Sequence, residues 1–143
     1  MAAPVETAVD VQEVRKLDSY LKGLFRNPGM RVVPRPKKND SAEVYIGDDY
    51  LGLLTTDDED GERSYNFEMA IDNGAKDFKS IETYLKDRLG NQSIRVLLRA
   101  KKKDSADVHL GEEFIGVVFA DDGRGGNSHT FDMTILGIDL ESA

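Results

Sequence analysis

The sequence predicts an α+β fold in which one module, a helix followed by an antiparallel four-strand meander, occurs as a tandem repeat. The segment RVVPRPKKNDSAEVYIGDDYLGLL at 31–54 returns as RVLLRAKKKDSADVHLGEEFIGVV at 95–118, at an offset of 64 residues with no gap. Of the 55 positions in 17–71, 22 are identical to their counterparts in 81–135. Apolar residues change from helical spacing before each block to alternation within it, which indicates a helix followed by strands.

The repeat defines the expected domain organisation. We predict a disordered tail at residues 1–11, a first repeat at 12–74 and a second repeat at 75–138. Two related modules of this size bury little surface alone, so we expect the copies to pack with pseudo-twofold symmetry.

A helix of about four turns opens each repeat, because apolar side chains recur every three or four residues. Asp77 is the expected N-cap of the second helix. The segment Asn27-Pro28-Gly29 is expected to end the first helix, and Gly90-Asn91 the second. The apolar stripes consist of Val14, Leu17, Leu21 and Phe25, and of Phe78, Ile81, Leu85 and Leu89.

Four strands follow each helix. Arginines alternate with apolar residues in the first strand, and Pro34 predicts that this strand lies at a sheet edge in the first repeat. The third strand is apolar on both faces, so we expect it at the centre of a sheet covered on two sides. Gly52 and Gly116 within it predict a bulge or a close backbone approach.

Composition restricts the function. The chain has no cysteine, which excludes disulfides and thiolate metal sites, and it has no apolar stretch long enough to span a membrane. We therefore expect a cytoplasmic protein with no membrane association. No catalytic constellation, metal-ligand cluster or cofactor motif is recognisable, so we predict that the protein is not an enzyme and has no cofactor.

Both histidines lie in the second repeat, where the first has Tyr45 and Tyr65. A site built before the duplication should have begun with its ligands in both copies, so His109 and His129 are interpreted as structural. His129 shares a strand face with apolar residues, and we expect it to be buried and hydrogen-bonded. The acidic run after Thr56 lacks calcium-loop spacing and is interpreted as a solvated turn.

The basic connectors between the first two strands of each repeat are the candidate anion contacts. The favoured interpretation is that their lysines protect a strand edge from pairing with other chains, and the alternative is phosphate binding. Residues 9–72 contain nine basic and fourteen acidic residues, a net −5, whereas residues 73–136 contain ten of each. The candidate residues are Arg35, Lys37, Lys38, Arg99, Lys101, Lys102 and Lys103.

The pattern R-x-x-x-R-x-K-K-x-D-S-A-[ED]-V followed by I-G-D-D-Y-L-G resembles an uncharacterised bacterial domain-of-unknown-function family, family 3126, typical of alphaproteobacteria. That family usually has one copy per chain, and the resemblance implies no activity, cofactor or site residue. A weaker resemblance, at Val44-Tyr45-Ile46-Gly47, is to double-stranded-RNA-binding domains, whose basic helix start is missing here.

We expect a non-enzymatic interaction module whose partner is another protein or a second copy of itself. The alternative is nucleic-acid or other polyanion binding through the paired lysine-rich connectors. A net charge of −8 disfavours this alternative, because clustered basic residues supply most non-specific affinity for phosphates.

Overall fold

The structure is a computed structural model that describes residues 11–35, 38–57, 63–71, 78–99, 102–120 and 129–140. In order, its elements are α1 (Val11–Phe25), β1 (Met30–Arg35), β2 (Lys38–Ile46), β3 (Asp49–Asp57), β4 (Ser64–Ile71), α2 (Phe78–Leu89), β5 (Ile94–Arg99), β6 (Lys102–Leu110), β7 (Glu113–Ala120), β8 (His129–Leu136) and α3 (Gly137–Leu140). The predicted α+β fold, with one helix and an antiparallel four-strand meander per repeat, is confirmed. Val11 of the expected tail begins α1, and residues 1–10 lie outside the described part of the chain.

The chain forms two compact units. Unit 1 consists of Met1–Phe67 and Thr134–Ala143, and unit 2 of Glu68–Met133. Within unit 1 the strand order is β1-β2-β3-β4, with the end of β8 beside β4. Within unit 2 the order is β5-β6-β7-β8, with the end of β4 beside β8. Each unit therefore includes a segment from the other repeat.

Each helix packs its apolar stripe on its own sheet. In unit 1 Leu17, Leu21 and Phe25 are fully buried and α1 contacts β1, while Val14 is half-buried. In unit 2 the matching residues of α2 are buried and α2 contacts β5. Among the described residues, no helix has the length and apolar character needed to cross a membrane.

Both helices end at a residue with a positive φ, but in the first repeat this residue is Arg26 and not a glycine. Gly90 ends α2 with a positive φ of 69°, as predicted. Its counterpart in the first repeat is Arg26, which has a φ of 53° and precedes the Asn27-Pro28-Gly29 segment. The same closing hydrogen bond forms at both ends, from the Asn27 N–H to the Lys22 carbonyl at 3.0 Å and from the Asn91 N–H to the Lys86 carbonyl at 3.1 Å. Arginine thus occupies a backbone conformation that favours glycine.

The predicted bulges are confirmed in the third strand of each repeat. Val44 pairs with Gly52 and Tyr45 with Tyr50, so one residue of β3 is unmatched; β7 repeats this irregularity beside Gly116. A Cβ atom on Gly116 would lie 2.5 Å from the backbone oxygen of Asp132. Both expected roles of this glycine, in a bulge and in a close approach, are therefore present.

The expected complete covering of the third strand is wrong. β3 lies between β2 and β4 as predicted, and its Leu51 and Leu54 are buried. On the other face Leu53 is only half-buried and Tyr50 is 50% exposed. No helix of the unit covers that side of the strand among the described residues, so apolar side chains remain accessible there.

Helix α3 follows β8 without a connecting loop and was not expected from the sequence pattern. The Gly137 N–H donates to the Arg63 carbonyl at 2.8 Å, and a Cβ at Gly137 would lie 2.7 Å from the same oxygen. Leu140 is 4% exposed, and α3 contacts α1. The end of the second repeat is therefore built into unit 1.

Candidate functional site

Unit 1 carries an arginine–aromatic row on the face opposite the buried Val32 and Val44. The register places Arg31 beside Tyr45, and Tyr45 beside Tyr50. The Arg31 guanidinium lies 5.3 Å from the centre of the Tyr45 ring, and the two tyrosine rings meet edge-on at 5.7 Å. We refer to Arg31, Tyr45 and Tyr50 as row 1.

Hydrogen bonds within unit 1 hold row 1 in place. The Arg31 Nη2 and Nε groups donate to the Gly47 carbonyl at 2.7 and 3.1 Å. The Tyr45 hydroxyl donates to Glu43 Oε1 at 3.0 Å, and this bond to a carboxylate raises the pKa of Tyr45. Partial burial raises the pKa of Tyr50. Both tyrosines are therefore neutral at physiological pH.

Unit 2 has the corresponding row 2, formed by Arg95, His109 and Phe114. The His109 and Phe114 rings meet edge-on at 5.8 Å, and Phe114 is 55% exposed. Arg95 is exposed and, within the described ranges, makes no hydrogen bond or ion pair, unlike Arg31. Exchange of tyrosine for histidine and phenylalanine thus preserves the shape of the row but changes its polar groups.

The bulges create both rows. Without the extra residue in β3, strict alternation would place Tyr50 on the opposite face from Tyr45. With it, Leu51 turns into the core while Tyr50 stays beside Tyr45. Sequence reasoning predicted the bulge at Gly52 but missed the aromatic pair that it positions.

The structure brings only some of the predicted basic residues together. Across the first hairpin Arg35 pairs with Lys38, and across the equivalent hairpin Arg99 pairs with Lys102. Lys37 and Lys101 lie outside the described residues, as do the side chains of Lys38, Arg99, Lys102 and Lys103. Arg35 Nη1 donates to Ser41 Oγ at 3.0 Å. In each hairpin two basic residues therefore occupy opposed backbone positions.

A polar cluster that the sequence did not reveal ties α1 to β4. The Arg63 guanidinium donates to both carboxylate oxygens of Glu13, at 2.8 and 2.9 Å, and the Tyr65 hydroxyl donates to the same carboxylate. Burial, followed by the bond to Glu13, raises the pKa of Tyr65 to about 12. This cluster fixes the start of the helix to the sheet.

His129 occupies the position of Tyr65 in the second repeat. It is 5% exposed and meets the Phe78 ring edge-on at 5.7 Å, so its predicted burial is confirmed. The expected hydrogen bond is not found at Nδ1, which is buried and has no partner in the described part of the chain. The contact with the Phe78 ring suits a packing role.

An acidic residue on each helix closes part of the adjacent sheet edge. Asp18 Oδ1 accepts the Val32 N–H at 2.9 Å, and Glu82 Oε2 accepts the Val96 N–H at 2.9 Å. The outward-facing amide of the first strand is thereby satisfied in both repeats. Recurrence of an acidic residue with a lysine four positions later was the available sequence signal.

Among the residues that the structure describes, no group of three or more acidic or histidine side chains is arranged to hold a metal ion.

A family model described as a protein of unknown function (DUF3126) matches residues 13–73 and again residues 77–139. The resemblance seen in the sequence and the tandem arrangement are thereby confirmed, while the bacterial origin stays a prediction. A comparison with curated proteins found no match.

Proposed function

We propose that this chain, which belongs to the DUF3126 family of proteins of unknown function, is a non-enzymatic module that binds another protein. One observation carries the proposal: both repeats place an arginine beside two rings that meet edge-on, on an accessible sheet face. Tyrosine and arginine, together with tryptophan, are enriched among the residues that carry most of the binding energy at protein–protein interfaces.

Preorganisation of row 1 supports binding as its role. Arg31 and Tyr45 are already held by Gly47 and Glu43, so docking a partner would freeze few additional torsions. Tyr50 is half exposed and its ring meets Tyr45 edge-on, so it offers a partner a large apolar surface with one polar edge.

The chemistry of the row also favours binding over catalysis. The raised pKa values of Tyr45 and Tyr50 keep both hydroxyls protonated near neutral pH, whereas a general acid or base works best with a pKa near the operating pH. Their role in this proposal is to present ring surface to a partner.

The test compares the wild type with a Tyr50→Ala, Phe114→Ala double variant. Ile138→Ala is the matched control, since Ile138 is 73% exposed but lies in α3, outside both rows. Proteins captured from the native host by the wild type are identified, purified and titrated against all three forms by calorimetry. We expect the double variant to bind at least about tenfold more weakly, and the control to bind like the wild type.

The proposal fails if every purified partner binds the double variant as tightly as the wild type. It fails equally if the control loses as much affinity, because the loss would then not be specific to the rows.

A second candidate function is polyanion binding, favoured by the like-charge pairs that both basic hairpins place across from each other. The net charge of −8 opposes it, so we expect no measurable nucleic-acid binding at physiological salt. Gel-shift assays on DNA and RNA, single- and double-stranded, test this with the wild type beside a variant carrying Glu at five lysines. A wild-type affinity of about micromolar or better, lost in that variant, would make polyanion binding the better function. The five lysines are Lys37, Lys38, Lys101, Lys102 and Lys103.

A further inference from the structure

Strand β5 forms an incompletely closed edge of unit 2. It is the outermost strand of the unit and pairs with β6 on one side. The Val96 N–H donates to Glu82, so this N–H points away from β6. Backbone groups alternate in direction along a strand, and the N–H and carbonyl of Leu98, two residues later, therefore also point away from β6. The Leu98 side chain is 70% exposed. Beyond the reach of Glu82, β5 thus offers both a backbone donor and an apolar side chain.

The equivalent edge of unit 1 is closed. Asp18 accepts the Val32 N–H there, and the position of Leu98 is occupied by Pro34, which has no N–H. Proline is a common means of preventing another chain from pairing with an edge strand. The two repeats therefore differ in their capacity to accept an additional strand, although the rest of the edge is built in the same way.

Charge indicates what kind of strand fits. The segment 94–103 contains five basic residues and no acidic residue. Antiparallel pairing of two β5 edges would bring these like charges together, so a second copy of the chain is disfavoured. An acidic strand is attracted instead. Glu82 at the neighbouring position is already engaged by the Val96 N–H and, at 3.6 Å, by Lys86.

We infer that the β5 edge binds an extended acidic segment of another protein by strand addition, with Leu98 exchanging backbone hydrogen bonds with it. The basic residues then select the partner: they repel a second basic edge and attract an acidic one. Arg95 lies on β5 and also belongs to row 2, but Leu98 and its edge N–H belong to neither row, so the inference does not depend on the role of the rows.

The test uses the full chain and a synthetic peptide that alternates Val with Glu and Thr. Binding is followed by NMR titration of the backbone amides and by calorimetry. We expect the Leu98 amide to shift on binding. We also expect Leu98→Pro, which copies the first repeat, to weaken binding about tenfold through loss of a backbone hydrogen bond. A peptide with Lys in place of Glu is expected to bind at least about tenfold more weakly.

The reverse variant keeps the test decisive if Leu98→Pro perturbs folding. Pro34→Leu supplies the missing donor to β1, whose neighbourhood is also basic, and we expect it to add a second peptide site per chain. Equal affinity of Leu98→Pro, unchanged stoichiometry of Pro34→Leu or equal binding of the lysine peptide would each overturn the inference. So would wild-type dimerisation in sedimentation that Leu98→Pro abolishes, because the occupant would then be a second copy.

Discussion

Replacing Gly116 by Ala tests the close approach of β7 to β8 in unit 2. The new Cβ would lie 2.5 Å from the Asp132 backbone oxygen and 2.9 Å from Cε1 of Phe131, a fully buried ring. A carbonyl in a strand ladder cannot rotate away as a flexible side chain can, so β7 and β8 have to separate. Overpacking of this kind costs about 1–3 kcal/mol, and the backbone contact places Gly116→Ala near the upper end. Denaturant unfolding measures the loss, which corresponds to a melting temperature lower by roughly 5–10 °C.

Gly23→Ala is the matched control, because the same substitution has the opposite expected sign there. Gly23 is exposed in α1, and an added Cβ would meet nothing within 4 Å. Alanine in a helix interior is more favourable than glycine by about 0.8–1 kcal/mol, so this variant should be more stable than the wild type. The reasoning is refuted if Gly116→Ala unfolds at the wild-type denaturant concentration, or if both variants change stability in the same direction.

Three further predictions concern single features of unit 1. Arg26→Gly should stabilise the chain by about 1 kcal/mol in denaturant unfolding, since Gly90 shows that glycine suits this left-handed position. The pKa of Tyr65 is about 12 in the folded protein against 10.0 when free, so the folded state retains a proton that the unfolded state loses. Stability should therefore fall between about pH 10 and 12, and less steeply in Tyr65→Phe. A fragment of residues 1–74 should dimerise or unfold in sedimentation and melting experiments, because unit 1 includes Thr134–Ala143.

A specific result would contradict each of these three predictions. Equal or lower stability of Arg26→Gly would show that the arginine side chain contributes more than its backbone strain costs. Identical alkaline unfolding of the wild type and Tyr65→Phe would remove Tyr65 as the source of the pH dependence. A folded, monomeric fragment with cooperative melting would show that the segment from the second repeat is dispensable.

Local sequence signals predicted the elements well where each signal acts within a few residues. The helical stripe ending at Phe25 is buried as expected, and Gly90 takes the left-handed conformation that ends α2. The glycine in each third strand correctly predicted a bulge. Arg26 carries no such signal, since arginine does not favour a positive φ.

The candidate site was harder to predict because its residues are distant in sequence. Row 1 joins Arg31 to Tyr45 and Tyr50 across three strands, and the register that aligns them depends on the bulge. The cluster of Glu13 with Arg63 and Tyr65 spans about fifty residues, too far for any spacing rule. The predicted basic residues were adjacent in sequence, and the structure added only their pairing across each hairpin.

By itself, the sequence determined the duplication, the α+β class and the order of helix and strands in each repeat, because periodicity and recurrence specify them. The family followed from the resemblance of its residue pattern to DUF3126. Only the tertiary structure decided that unit 1 includes the end of the second repeat, that the aromatic rings lie beside arginines, and that Leu98 leaves an edge open where Pro34 closes one. These features depend on which backbone groups and side chains meet across strands. Alternation and turn residues predict which neighbouring strands pair, but they do not specify contacts between residues that are far apart in the chain.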